Sequence, residues 1–229
     1  MADEERTGYG QYDPHRLVFH MSIGGVSICA LGMFIALFGV FQQQGWETLN
    51  LRVDRLGDYL SSPMAYVYNI SLLFAGVSFI TAMLGLYNLR YNEFSRYLAI
   101  VGACAGLGIM LIGIYPYNDA MPHRLVSLFF VLSSLAMFVL LILTRINHKH
   151  LCNLPLFYVA IVGLLATLTL LAQIDPATFD YRPCPVGQNP CFLALSLWLH
   201  TAMTMLAGLG LALVARHLVH MAIAARESQ

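Results

Sequence analysis

Six stretches of this 229-residue chain, residues 17–41, 64–87, 97–115, 125–143, 156–172 and 192–215, contain no aspartate, glutamate or lysine. Each is long enough to carry an α-helix across the hydrocarbon layer, which takes about 17–25 apolar residues. The remaining residues are too few for a separate soluble domain. Charged residues make up only 10% of the chain, against about 25% in an ordinary soluble domain, so a water-facing surface is excluded. The 12 basic residues equal the 12 acidic ones, which removes the basic field that nucleic-acid binding needs. The expectation is an all-α integral membrane six-helix bundle. Residues 1–16 form a cytoplasmic N-terminal tail, 17–215 the transmembrane domain and 216–229 a cytoplasmic C-terminal tail.

Proline marks the starts, because in a first helical turn its missing N–H costs nothing. Asp13-Pro14, Ser62-Pro63 and Asn189-Pro190 each place a capping side chain before the proline. Met121-Pro122 and Leu154-Pro155 mark two further starts, and Tyr115-Pro116 ends the third helix. The acidic N-terminal residues precede no small-residue cleavage site, so the first stretch reads as a true span rather than a signal peptide. Eight Lys and Arg fall with the termini and the even loops and four with the odd loops. That bias predicts both termini in the cytoplasm of a cell-membrane protein. Cys184 and Cys191 share the last outer loop, where an oxidising compartment favours a disulfide; a metal site would lack two further ligands. The segment 42–62 mixes Trp46, Leu56 and Leu60 with charges, which fits either an amphipathic piece on the outer membrane face or a plain loop.

Asn and His cannot easily satisfy themselves within lipid, so the intramembrane ones point to a site. His123, Ser127 and Ser134 share one stripe of the fourth helix, and Ser196, His200 and Thr204 share one of the sixth. Asn69 begins a stripe on the second. At about 1.5 Å per residue, Asn69 and His200 lie roughly 10 Å inside the outer boundary where His123 sits. The turn before His123 adds Tyr115 and Asp119, and Arg124 follows it. These six residues are the candidate ligand-binding set. Three readings fit them: a site for a lipid or other amphiphile in the outer leaflet, with Arg124 meeting an anionic headgroup; an enzyme acting on that lipid, with His123 as base oriented by Asp119 and Ser62 or Ser127 as hydroxyl; and an accessory subunit supporting other membrane subunits. No Gly-x-Ser-x-Gly or His-Glu-x-x-His motif marks an enzyme class. Bis-histidine haem pairing, His20 with His217 or His220 and His123 with His200, is topologically permitted. The absence of a Cys-x-x-Cys-His motif and the helix-end histidines weigh against it, and the expectation is no cofactor and no metal.

Gly102-x-x-x-Gly106 and Gly208-x-x-x-Ala212 predict close helix approach. Pro14-His-Arg-Leu-Val18 recurs as Pro122-His-Arg-Leu-Val126 and Pro63-x-x-Tyr66-Val67 as Pro155-x-x-Tyr158-Val159, the pattern of an inverted three-plus-three repeat. The chain lacks the broken helix and intramembrane acid of an ion-coupled transporter.

The run from Tyr66 through Asn69 to Gly76, the stretch Gly108 to Pro116 and His123 opening the next helix resemble a prokaryotic membrane family known as domain of unknown function 998. More distantly the chain is similar to the DRAM-like six-helix group, which includes autophagy modulators and lipid-remodelling factors. The resemblance implies a six-helix bundle with Asn69, Gly113, Pro116 and His123 together on the outer side, and implies no reaction. Tyr115 stands where the family usually has Phe.

Overall fold

The computed structural model describes residues 13–182 and 191–227, apart from the side chains of residue 49 and residues 219–227. Six helices, α1 (Pro14–Gln44), α2 (Ala65–Leu89), α3 (Glu93–Ile114), α4 (Ala120–Asn147), α5 (Leu154–Ala172) and α6 (Phe192–Glu227), follow one another along the chain, with the longer connections after α1 and after α5. All six are long and apolar enough to cross a membrane. Each packs against its neighbours in the chain, and α6 closes the ring on α1. Leu31, Phe34, Phe38, Phe74, Leu165 and Leu213 are more than half exposed on the outer faces. Such a belt is soluble only in lipid, and the chain is a multi-pass membrane protein.

The helix ends follow local chemistry. Asp13 accepts from the His15 N–H ahead of Pro14, and Asn153 accepts from the Leu156 N–H around Pro155. A reciprocal Asn92–Ser95 capping box opens α3. Pro116 ends α3 at Ile114. At two other starts no side chain caps the helix, and one of them is the expected Ser62 cap. Helix α2 starts at Ala65, past Pro63, with Met64 at its N-cap, and the Ser62 hydroxyl is buried without a partner. Asp119 precedes α4 without a side-chain cap. Helix α6 runs to Glu227 instead of stopping near 215, because no proline or glycine follows Gly210.

Small residues let the helices approach. A Cβ on Gly76 would lie 2.6 Å from the Gly106 carbonyl oxygen across the α2–α3 contact, and one on Gly208 would meet Val26 of α1 at 3.1 Å. Both expected glycine motifs therefore serve packing within the bundle. Pro14 opens α1 and Pro122 lies in the first turn of α4, at opposite ends of the ring.

The segment 42–62 folds inward rather than lying flat. Two 3-10 turns, Gly45–Asn50 and Val53–Gly57, seat Val53 and Leu56 in the core beside Ala36, Val40 and Leu72. Among its described large apolar side chains, Trp46, Tyr59 and Leu60 face outward. The apolar side chains inside the bundle mouth are worth more buried there, at about 1.5–3 kcal/mol each, than in a half-wet interface. A short hairpin, β1 (Ile174–Asp175) with β2 (Asp180–Tyr181), covers the same end between α5 and α6.

Candidate functional site

Three connections meet at that end: the 3-10 turns after α1, the turn between α3 and α4, and the hairpin after α5. Arg52 forks its guanidinium onto Asp54, with bonds of 3.1 and 2.6 Å, and lies 3.8 Å from Asp180. Its face stacks near Tyr117 and Tyr181, 5.4 and 5.2 Å from the ring centres. Arg124 Nε is 3.1 Å from Asp180 Oδ2, an ion pair without hydrogen-bond alignment. Asp58 accepts from Asn118 Nδ2 at 2.7 Å, the Ser61 hydroxyl at 2.8 Å and the Leu60 N–H at 2.9 Å, and Arg55 approaches it at 3.5 Å. Trp198 of α6 donates to the Leu51 carbonyl at 2.9 Å. The result is a roof of alternating charges braced to four helices.

Burial alone would push the Asp54 carboxyl up. The His123 hydrogen bond and the adjoining Arg52 charge override it, and Asp54 is held well below the usual carboxylate range. Burial raises the Tyr181 phenol above its ordinary value, with the Asp54 charge adding to the effect.

His123 is buried, 4% exposed. Its Nδ1 faces the Tyr115 carbonyl at 2.9 Å, so that nitrogen donates. Its Nε2 meets both Ser127 Oγ, at 3.4 Å, and Asp54 Oδ2, at 3.5 Å. A neutral ring accepts from Ser127, and a protonated one donates to Asp54. A relay from acid through imidazole to hydroxyl needs the two partners on opposite nitrogens. Here they share one, so the geometry fixes the ring and does not activate Ser127. The acid beside His123 is Asp54, whereas Asp119 is exposed and meets His123 only through its backbone carbonyl.

The other expected residues divide by task. Asn69, buried in α2, donates to the Gly57 carbonyl at 3.0 Å and props the second 3-10 turn; a Cβ on Gly57 would clash with its amide oxygen at 2.3 Å. Tyr115 contributes its carbonyl while its side chain is partly exposed. His200, 2% exposed, bonds Ser134 Oγ through Nε2 at 2.7 Å and is edged by Phe130 and Phe138. Ser134 donates to the Val131 carbonyl, so His200 donates from Nε2 and its Nδ1 is an acceptor. His20 and His217 are exposed at the far end, and the His220 side chain and Cys184 lie outside the described residues. Cys191 is buried, and the free cysteines among the described residues are Cys29, Cys104 and Cys152. No three His, Cys, Asp or Glu gather as metal ligands among the described residues.

Beneath the roof lies a cavity of about 90 Å³ walled by α1, α2, α3, α4 and α6, with Asp54, Tyr68, Ser127, Tyr181 and His200 among its lining. Sequence reasoning reached His200 and Ser127. It missed Arg52, Asp54, Asp180 and Tyr181, whose pairing across distant loops leaves no local spacing signal. Tyr68 was hidden as one aromatic among many, although it stands beside Asn69.

Fold and site together define a six-helix multi-pass membrane protein whose loop end is a charged roof over an internal cavity. Comparison of the chain with models of protein families, with curated proteins and with solved structures finds no match to any of them.

Proposed function

We propose that this protein takes a lipid or other amphiphile from the outer leaflet of the cell membrane into the roofed end of its bundle. The observation that carries this reading is the cavity under the Arg52–Asp54–Asp180 roof, because interiors are normally packed without voids of this size. A membrane protein surrounded by chains has a natural occupant for a largely apolar void. His200 walls the space directly, Asn69 and the Tyr115 carbonyl hold the roof through Gly57 and His123, and Arg124 and Asp119 stand at its rim. The resemblance to the domain-of-unknown-function 998 family agrees with this placement of Asn69 and His123.

The test is lipid extraction and mass spectrometry of protein purified in native-like nanodiscs, wild type against Leu197→Trp, which fills the cavity from α6. A species bound in stoichiometric amount to wild type and lost from the folded variant is expected. Equal content in the two proteins overturns the reading.

A further inference from the structure

We propose, building on the amphiphile reading, that the occupant is an uncharged single-chain amphiphile whose head accepts hydrogen bonds, of the long-chain alcohol or acyl-ester kind. Three observations lead there.

First, the three cations that stand over or beside the cavity are already matched. Arg52 lies against Asp54, Arg55 against Asp58 and Arg124 against Asp180. An anionic head would have to displace a carboxylate and then face Asp54 from the cavity side, which like-charge repulsion in a low-dielectric space makes costly. A cationic head would meet Arg52 beside the same carboxylate. Arg124 beside Asp180 thus offers an anionic head a cation that already has a counter-charge.

Second, three hydroxyls on the cavity wall have no hydrogen-bond partner among the described residues. Tyr68 is 4% exposed, and its phenol makes no hydrogen bond among the described residues. The Tyr181 phenol and the Thr201 hydroxyl, on the same wall, also make none there. A buried hydroxyl without a partner costs free energy that a ligand carbonyl, ether or hydroxyl oxygen would recover. Asp54, the carboxylate lining the cavity among the described residues, is engaged by Arg52 and His123.

Third, the void is elongated. A second cavity of about 40 Å³ shares Cys29, Ile109, Thr204 and Met205 with the first and continues down α1 to Ser22. The step from Cys29 to Ser22 is roughly 10 Å along the helix. This shape suits one extended chain, head beneath the roof and tail along α1 and α6, better than a paired-chain phospholipid.

The experiment uses the full-length protein in nanodiscs and three photoreactive probes that share one diazirine-bearing C16 chain and differ in the head: primary alcohol, carboxylate and trimethylammonium. Labelled peptides are mapped by mass spectrometry, with competition curves for wild type, Tyr68→Phe and Leu197→Trp. Labelling by the alcohol of α1 and α6 peptides lining the two cavities is expected. It should be roughly three- to tenfold weaker in Tyr68→Phe, the loss of one buried hydrogen bond, and absent in Leu197→Trp. Thermal unfolding of both variants checks that they fold, and Tyr181→Phe provides a second phenol test. Stronger cavity labelling by either charged probe, or no loss in both phenol variants, overturns the uncharged-head assignment while leaving the amphiphile reading in place. Cavity labelling by none of the three probes overturns both.

Discussion

Asp54 shows how a single buried acid organises this protein. The carboxylate is worth keeping inside because Arg52 meets both its oxygens and His123 approaches it from α4. Removing one partner of a buried pair leaves the other charge stranded, at a cost of about 3–5 kcal/mol in general. Arg52 retains Asp180 at 3.8 Å, so Asp54→Asn should fall near the low end of that range and lower the thermal midpoint by several degrees. An unchanged midpoint in nanodiscs would contradict this. The pH dependence follows with a definite sign. The folded-state value of Asp54 is lowered by His123 and Arg52 against the push of burial, and that of Asp58 is lowered by Leu60, Ser61, Asn118 and Arg55. A lowered carboxyl contributes stability that is complete above the unfolded value, about 3.9, and is lost as pH falls below it. The wild type should lose thermal stability between about pH 5 and pH 3, and Asp54→Asn should lose less over that interval. Equal slopes for the two proteins would exclude Asp54 as a source of the acid sensitivity.

At the scale of elements, glycine decides how near two helices come. A Cβ on Gly76 would press on the Gly106 carbonyl and the Met110 N–H at 2.6 Å, both of them backbone, while one on Gly24 meets nothing within 4 Å. The same substitution should thus have opposite effects. Gly76→Ala is expected to destabilise by about 1–3 kcal/mol through overpacking, and Gly24→Ala to be neutral or to stabilise by up to about 1 kcal/mol through helix propensity. Thermal unfolding of the two variants side by side checks this, and a Gly76→Ala midpoint at or above wild type would contradict the close α2–α3 contact. Helices of this kind are legible in sequence, since freedom from charge and the placement of Pro14, Pro116 and Pro155 depend only on near neighbours. The roof is not. Leu56 between Arg55 and Gly57 looks like any interfacial leucine until Ala36 and Leu72 surround it, and nothing near Arg52 announces Asp180. Asn69 and His200 could be found because a polar side chain in an apolar run demands a reason. Their true partners, the Gly57 carbonyl and the Ser134 hydroxyl, belong to other elements and were not visible.

For the whole molecule, the decisive question is which compartment the roof faces. The roofed end carries Arg52, Arg55, Arg124 and Arg182, and the first three of these stand against Asp54, Asp58 and Asp180. The opposite end carries Arg16, Arg90, Arg96, Arg145, Lys149 and Arg216 with the termini. There Arg145 binds carbonyls of the α4–α5 connection, while Arg16 and Arg96 pair with Asp13 and Glu93. Retention of the end richer in Lys and Arg in the cytoplasm would put the roof outside, where a Cys184–Cys191 disulfide can persist. Single-cysteine reporters separate the two orientations, because Glu47 and Ala177 are exposed at the roofed end and His150 is exposed at the other. In intact cells a membrane-impermeant maleimide should label Glu47→Cys and Ala177→Cys, and should label His150→Cys only after permeabilisation. Alkylation followed by intact-mass measurement should show two additional thiols after reduction, supplied by Cys184 and Cys191. Labelling in the reverse pattern would place the roof and its cavity in the cytoplasmic leaflet, and the proposed amphiphile would then have to enter from that side.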